Sequence, residues 1–213
     1  MKNDSIVIKP KDNQEHILDL FNEPKLIGLI GDANSGKSNM LYWIVKALRD
    51  RYHFGLYTYG LRAYMQDEQK IYTVEELETI HDSIILIDEF ASLFDVDDRK
   101  QKRQIENTLR LIFHRNNVVL FCGLPENYKK FVASKLDAII YKQCVIGDFI
   151  NGSRTKAKVM DYTGYERGSA MLSLDVSNAI VWDGTHYYKV TIPYIPEGDT
   201  KINNADILKK KGR

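Results

Sequence analysis

Residues Leu26 to Ser38, LIGLIGDANSGKS, constrain the fold more than any other stretch of the chain. An apolar run breaks into Gly31-Asp32-Ala33-Asn34-Ser35-Gly36-Lys37-Ser38 and passes directly into a helical pattern. The order is strand, phosphate loop, helix, with the spacing G-x-x-x-x-G-K-[ST]. Glycine is required because backbone N–H groups must approach phosphate oxygens closely, in backbone angles that a side chain resists. Lys37 reaches the terminal phosphates, and the helix points its positive dipole end and unpaired N–H groups at the same anion. The Ser38 hydroxyl is placed to ligate Mg²⁺. The expected nucleotide cradle is Gly31, Asp32, Ala33, Asn34, Ser35, Gly36, Lys37, Ser38 and Asn39.

After the loop, Met40, Leu41, Ile44, Val45 and Leu48 recur at helical spacing, so this helix buries one face against a sheet and ends near Arg49 to Tyr52. Phe54 to Tyr59 reads as a strand and GLRAYMQDEQK as a polar connection. Thr73 and Glu76 match a capping box ahead of Leu77 and Ile80. The continuous apolar run IILIDEF, Ile84 to Phe90, has the pattern of a strand buried on both faces and ends in two carboxylates. In an open parallel sheet, ligands sit beyond the carboxyl ends of the strands. That places Asp88 to hold the hydration shell of magnesium and Glu89 to orient and polarise an attacking water.

Asp95 to Arg103 switches from acidic to basic and opens a helix carrying Ile105, Leu109 and Ile112 on one face. Arg110 and Arg115 close it before a buried strand, Val118 to Cys122. Tyr128 to Leu136 reads as a helix and Ala138 to Gln143 as a strand. From Val145 the pattern changes to shorter alternating strands, KAKVMDY, AMLSLDV, NAIVWDG and HYYKVTIPYIP, separated by Gly, Asn and Asp turns. At the start, SIVIKP is strand-like, and Ile17 to Phe21 suggests a lead-in packing beside the nucleotide site.

The chain's 213 residues and 44% hydrophobic content suit one domain with one sizeable core. The expected division is a lead-in over 1–25, a nucleotide-binding core over 26–144, a β-rich continuation over 145–197 and a basic tail over 198–213. A formal charge of +1 gives no bulk pull toward nucleic acid or membrane, so such a surface must be a local patch. Signal-peptide and membrane-span patterns are absent, which points to a soluble, cytoplasmic protein without membrane insertion. Cys122 and Cys144 are too few for a disulfide framework and read as small buried hydrophobes.

With these motifs placed, the chain resembles the FtsK/HerA superfamily of ring-forming DNA-pumping ATPases. SGKSNMLYWIVKAL resembles the family's phosphate loop and helix, and IILIDEFASLF its apolar strand ending in Asp-Glu, in the Asp-Glu-Phe-Ala form of FtsK-type proteins. VVLFCGLPEN stands where the family has an apolar strand and then a polar sensor residue. GYERGSAMLSLD and NAIVWDGTHYYKVTIPY are similar to the strand pair that closes its core. The resemblance spans Pro24 to Pro193 and implies an α/β P-loop NTPase, RecA/FtsK-HerA-like, with a mostly parallel central sheet, flanking helices and a C-terminal set of short β-strands.

The resemblance also implies ATP and Mg²⁺ as cofactors and a homo-oligomeric ring, hexamer or pentamer, acting on the backbone of double-stranded DNA. An arginine from one subunit completes its neighbour's site, and Arg115 and Arg110 occupy the matching neighbourhood. Arg99, Lys100, Lys102, Arg103 and the tail lysines are the candidates for DNA contact. The compact chain looks most like a viral genome-packaging ATPase, which implies a docking partner such as a portal or capsid vertex. One departure stands out. The family usually carries Gln after the strand that here ends in Cys122, where this chain has Gly123 or Leu124; Asn116 or Asn117 is the substitute considered for that polar role. The rival readings are a regulatory ATP-binding module and a small P-loop kinase not acting on DNA.

Overall fold

The computed structural model describes residues 13–61, 65–88, 99–124, 134–143 and 174–196. In chain order the elements are α1 (Asn13–Asp19), β1 (Leu26–Ile30), α2 (Lys37–Arg49), β2 (Gly55–Tyr59), β3 (Glu68–Lys70), α3 (Val74–Leu77), β4 (Ser83–Asp88), α4 (Arg99–His114), β5 (Val118–Gly123), β6 (Ala138–Tyr141), β7 (Asn178–Trp182) and β8 (Tyr187–Thr191).

Every residue of β1, β5 and β6 is buried, and so is all of β4 except Asp88. Strands without a polar face must be covered on both sides, and a parallel sheet with crossover helices does this. The sheet order is β3-β2-β4-β5-β1-β6-β7-β8. Pairing is parallel from β3 through β6. β7 and β8 then extend the same sheet as an antiparallel hairpin. The mostly parallel sheet flanked by helices is the one the sequence implied.

Side-chain alternation divides the interior in two. Ile27, Leu29, Leu86, Leu120, Cys122, Ala138 and Ile140 face α2 and α1, meeting Met40, Leu41, Ile44, Leu48, Ile17 and Leu18. Ile85, Ile87, Val119, Phe121 and Ile139 face the other way, onto Leu77 of α3 and Leu109 and Ile112 of α4. Burying the apolar stripe of α2 is what seats the loop before it at the end of β1.

The capping box is present in shifted form: Glu76 N–H donates to Thr73 Oγ1 at 3.4 Å, and Tyr72 N–H donates to the Glu76 carboxylate at 3.0 Å. One expectation is corrected. The polar connection GLRAYMQDEQK contains β3, pairing in parallel with β2 from Leu56↔Glu68 to Thr58↔Lys70. Its three residues are too few and too polar to show a strand period, and the Thr58 hydroxyl donating to Glu68 at 2.8 Å supports the pairing.

The lead-in helix α1 packs against α2 and β8. Cys122 is buried as expected. The strand read at SIVIKP, those at KAKVMDY and AMLSLDV apart from Leu174 to Val176, most of the helix read over Tyr128 to Leu136, Cys144 and the basic tail lie outside the described residues. No helix among the described residues is long and apolar enough to cross a membrane.

Candidate phosphate-binding site

The loop between β1 and α2 has the shape its sequence requires. Asn34 and Gly36 adopt positive φ, 63° and 90°, and Ser35 N–H closes a turn onto Asp32 C=O at 3.2 Å. Gly36 is the N-cap of α2, and no side chain caps that helix end. The first-turn N–H groups of a helix entered this way suit an anion. Ala33 and Asn34 are exposed, while Ser35 is buried and its Oγ has no hydrogen-bond partner.

Lys37 Nζ donates to Gly31 C=O at 2.7 Å and to Asp32 C=O at 2.8 Å. The ammonium therefore bends back over the loop that its own residue ends. An uncapped helix, a buried hydroxyl without a partner and a lysine folded over the cradle fit the phosphates of a nucleotide.

The glycines have a second cause. A Cβ on Gly31 would lie 2.6 Å from Lys142 Cβ and 2.6 Å from Ser35 Oγ, and one on Gly36 would lie 2.6 Å from Val176 C=O. Lys142 and Val176 thus pack closely against the loop. An alanine at position 36 would combine the strain of positive φ with a clash against main chain.

Asp88 stands at the carboxyl end of β4, the same edge of the sheet. Its register partner is Cys122, and that of Cys122 is Leu29. Asp88 is thus level with the end of β1 and two strand spacings away, roughly 10 Å between backbones. Alternation along β4 turns it to the face of Ile84 and Leu86, which is the face α2 covers. The buried Cys122 thiol lies between the two motifs. Burial pushes its pKa well above the usual value, the negative Asp88 pushes it the same way, and the positive Lys37 opposes both. Ser38 in the first turn of α2 and Asp88 are the residues that could hold a magnesium ion. Glu89 lies outside the described residues.

Asn39 has a different occupation from the one expected. Its side chain is buried and bridges the chain beyond β8, donating to Pro193 C=O at 3.1 Å and accepting from Ile195 N–H at 2.6 Å. It fastens the C-terminal strap to the phosphate-loop helix, which sequence spacing could not show because the partners lie more than a hundred residues away.

The structure does not bring Asn116 or Asn117 to the phosphate loop. Asn117 is fully buried at the amino end of β5, accepting from Ser83 N–H and donating to Ile80 and Ile112 C=O. Asn116 donates to Asp82 at 2.8 Å on the same side, the end of the sheet away from the loop. At the carboxyl end of β5 the link to the loop is main chain: Gly31 N–H donates to Gly123 C=O at 3.4 Å.

Arg110 and Arg115 are exposed and also lie at that far end. Arg110 lines a cleft of about 500 Å³ with Leu26, Phe113 and Asp137. Leu26 opens β1, so this cleft is a strand length, roughly 13 Å, from the loop. Arg115 C=O accepts from Asp82 N–H, just before β4. The structure does not bring either arginine to the phosphate loop.

Neither a protein-family model nor a curated protein matches the sequence. Solved structures do match the fold. The genome packaging NTPase B204 from Sulfolobus turreted icosahedral virus 2, in complex with sulfate, aligns with a TM-score of 0.62 at 12% identity, covering 81% of this chain and 98% of that one. Its complex with ATP-gammaS gives 0.61 at 14% identity, covering 82% and 100%. EssC (ATPases 2 and 3) from Geobacillus thermodenitrificans gives 0.51 at 12%, covering 91% of this chain and 43% of that one. At these identities the likeness is one of fold. The chain has the fold of the P-loop ATPases, with a viral genome-packaging NTPase and EssC ATPase domains as structural neighbours, in keeping with the FtsK/HerA-type likeness that its motifs imply.

Proposed function

We propose that this chain hydrolyses ATP with Mg²⁺ and, as a ring of identical subunits, moves double-stranded DNA in the manner of a viral genome-packaging motor. The observation that carries the nucleotide part is the convergence of Lys37 and Asp88 on one edge of the sheet and on the face covered by α2. In that site Lys37 binds the terminal phosphates, Ser38 and Asp88 hold the metal, and Glu89 takes the proton of the attacking water. Bound magnesium supplies charge neutralisation for phosphoryl transfer.

The DNA and ring parts rest on the likeness to the packaging NTPase and on the motif resemblance. Arg110 and Arg115 are exposed and remote from the phosphate loop of their own chain; in this reading one of them, from a neighbouring subunit, spreads the transition-state charge.

Steady-state ATP hydrolysis with and without long double-stranded DNA, at two salt concentrations, tests the reading. Stimulation by DNA that weakens as salt rises is expected, because backbone contacts release counterions. Turnover indifferent to DNA would move the reading to a regulatory ATP-binding module or a kinase, or to a motor awaiting its docking partner, and phosphoryl transfer to an acceptor other than water would single out the kinase.

A further inference from the structure

Lys142 follows β6 and is fully buried. Its Nζ donates to Val176 C=O and to Asn178 C=O, both at 2.7 Å, in the turn that enters β7. Between backbone and ammonium, its side chain passes under the phosphate loop. Its Cβ occupies the space a side chain on Gly31 would need, and its Cε lies 3.4 Å from where a Cβ on Gly36 would be. The main chain holds the same junction, with Lys142 N–H donating to Ile30 C=O at 2.7 Å and Asp32 N–H to Gln143 C=O at 3.0 Å. Burying an ammonium is costly unless carbonyl dipoles or an opposite charge compensate it, so a lysine here is a choice that an apolar side chain of the same length would have avoided.

We propose that Lys142 is a positioning residue for nucleotide binding, the strut by which the β7–β8 hairpin holds the phosphate loop in its anion-binding shape. The proposal rests on the nucleotide reading of Gly31 to Ser38. Lys142 touches no phosphate: it draws the Val176 carbonyl against Gly36, and its charge lies beneath the loop. Movement of either the loop or the hairpin is therefore felt by the other.

The same charge gives a pH signature. Burial lowers the Lys142 pKa to about 8, against the opposing pull of the Asp175 carboxylate. On the loop itself, Gly31 to Ser38, the charged residues are Asp32 and Lys37. A bound polyphosphate favours protonated Lys142, so this contribution to affinity is complete below pH 8 and fades as pH rises through it.

The test is the dissociation constant of a fluorescent ATP analogue for the wild type, Lys142→Met and Lys37→Ala at pH 7 and pH 9, with amide hydrogen exchange on the wild type. Lys142→Met is expected to weaken binding about tenfold at pH 7, by removing the buried positive charge beneath the loop as well as the donor of two buried carbonyls. The gap to the wild type narrows at pH 9, and nucleotide slows exchange in the wild type along β7, from Asn178 to Trp182. A folded Lys142→Met that binds as the wild type does, while Lys37→Ala fails to bind, would overturn the role of Lys142 alone. Should that variant not fold, unchanged wild-type exchange over β7 would overturn it equally. A wild type that binds no analogue would remove the nucleotide reading, and this proposal with it.

Discussion

Lys37→Ala is expected to cut ATP turnover by at least about a hundredfold, the loss typical of removing a charge aimed at a developing oxyanion. The fold should survive. Its hydrogen bonds to the Gly31 and Asp32 carbonyls lie in a half-buried loop where water can replace the ammonium, so losing them costs about 1 kcal/mol or less. Two measurements separate binding from folding. Thermal unfolding without nucleotide should match the wild type closely. With nucleotide at about a hundred times its dissociation constant, the wild type should gain about 2.7 kcal/mol that the variant lacks. Full turnover by Lys37→Ala would take away the basis of the phosphate-loop reading.

Glu89→Gln is expected to bind ATP with near-normal affinity and to hydrolyse it about a hundred to a thousand times more slowly. Glutamine keeps the size of glutamate and can still hydrogen-bond a water, but it cannot take its proton. Asp88, one residue earlier, sits on the face of α2 with its charge felt at Cys122 and is given the metal. The division of roles predicts that Asp88 variants lose magnesium dependence of binding, while Glu89→Gln changes only the chemical step. Single-turnover phosphate release beside equilibrium binding measures this, and turnover within a few-fold of the wild type would deny Glu89 its role.

What could be read in the sequence was what is local. The phosphate loop is legible because its glycines, lysine and serine act within eight consecutive residues. The strands β1, β4, β5 and β6 are legible because burial on both faces leaves nearly continuous apolar runs along them, broken in β4 only at its ends by Ser83 and Asp88. β3 was not, since three polar residues carry no period and the strand exists through its pairing with β2. The fastening role of Asn39 and the strut at Lys142 depend on main-chain carbonyls far along the chain. A partial signal for Lys142 was present: alternation through Ala138 and Ile140 puts position 142 on the face of α2, where a charged side chain must find a buried partner. Asn116 and Asn117 are apart from the phosphate loop for a topological reason: both precede β5, and the loop lies beyond its other end.

The most direct test is a crystal structure of the protein with ATP-gammaS and Mg²⁺. The expected result is a nucleotide at Gly31 to Ser38, with Lys37 Nζ moved from the Gly31 and Asp32 carbonyls to the phosphates and the metal between Ser38 and Asp88. A nucleotide bound elsewhere, or bound at the loop with Lys37 still on those carbonyls and no metal near Asp88, would contradict it.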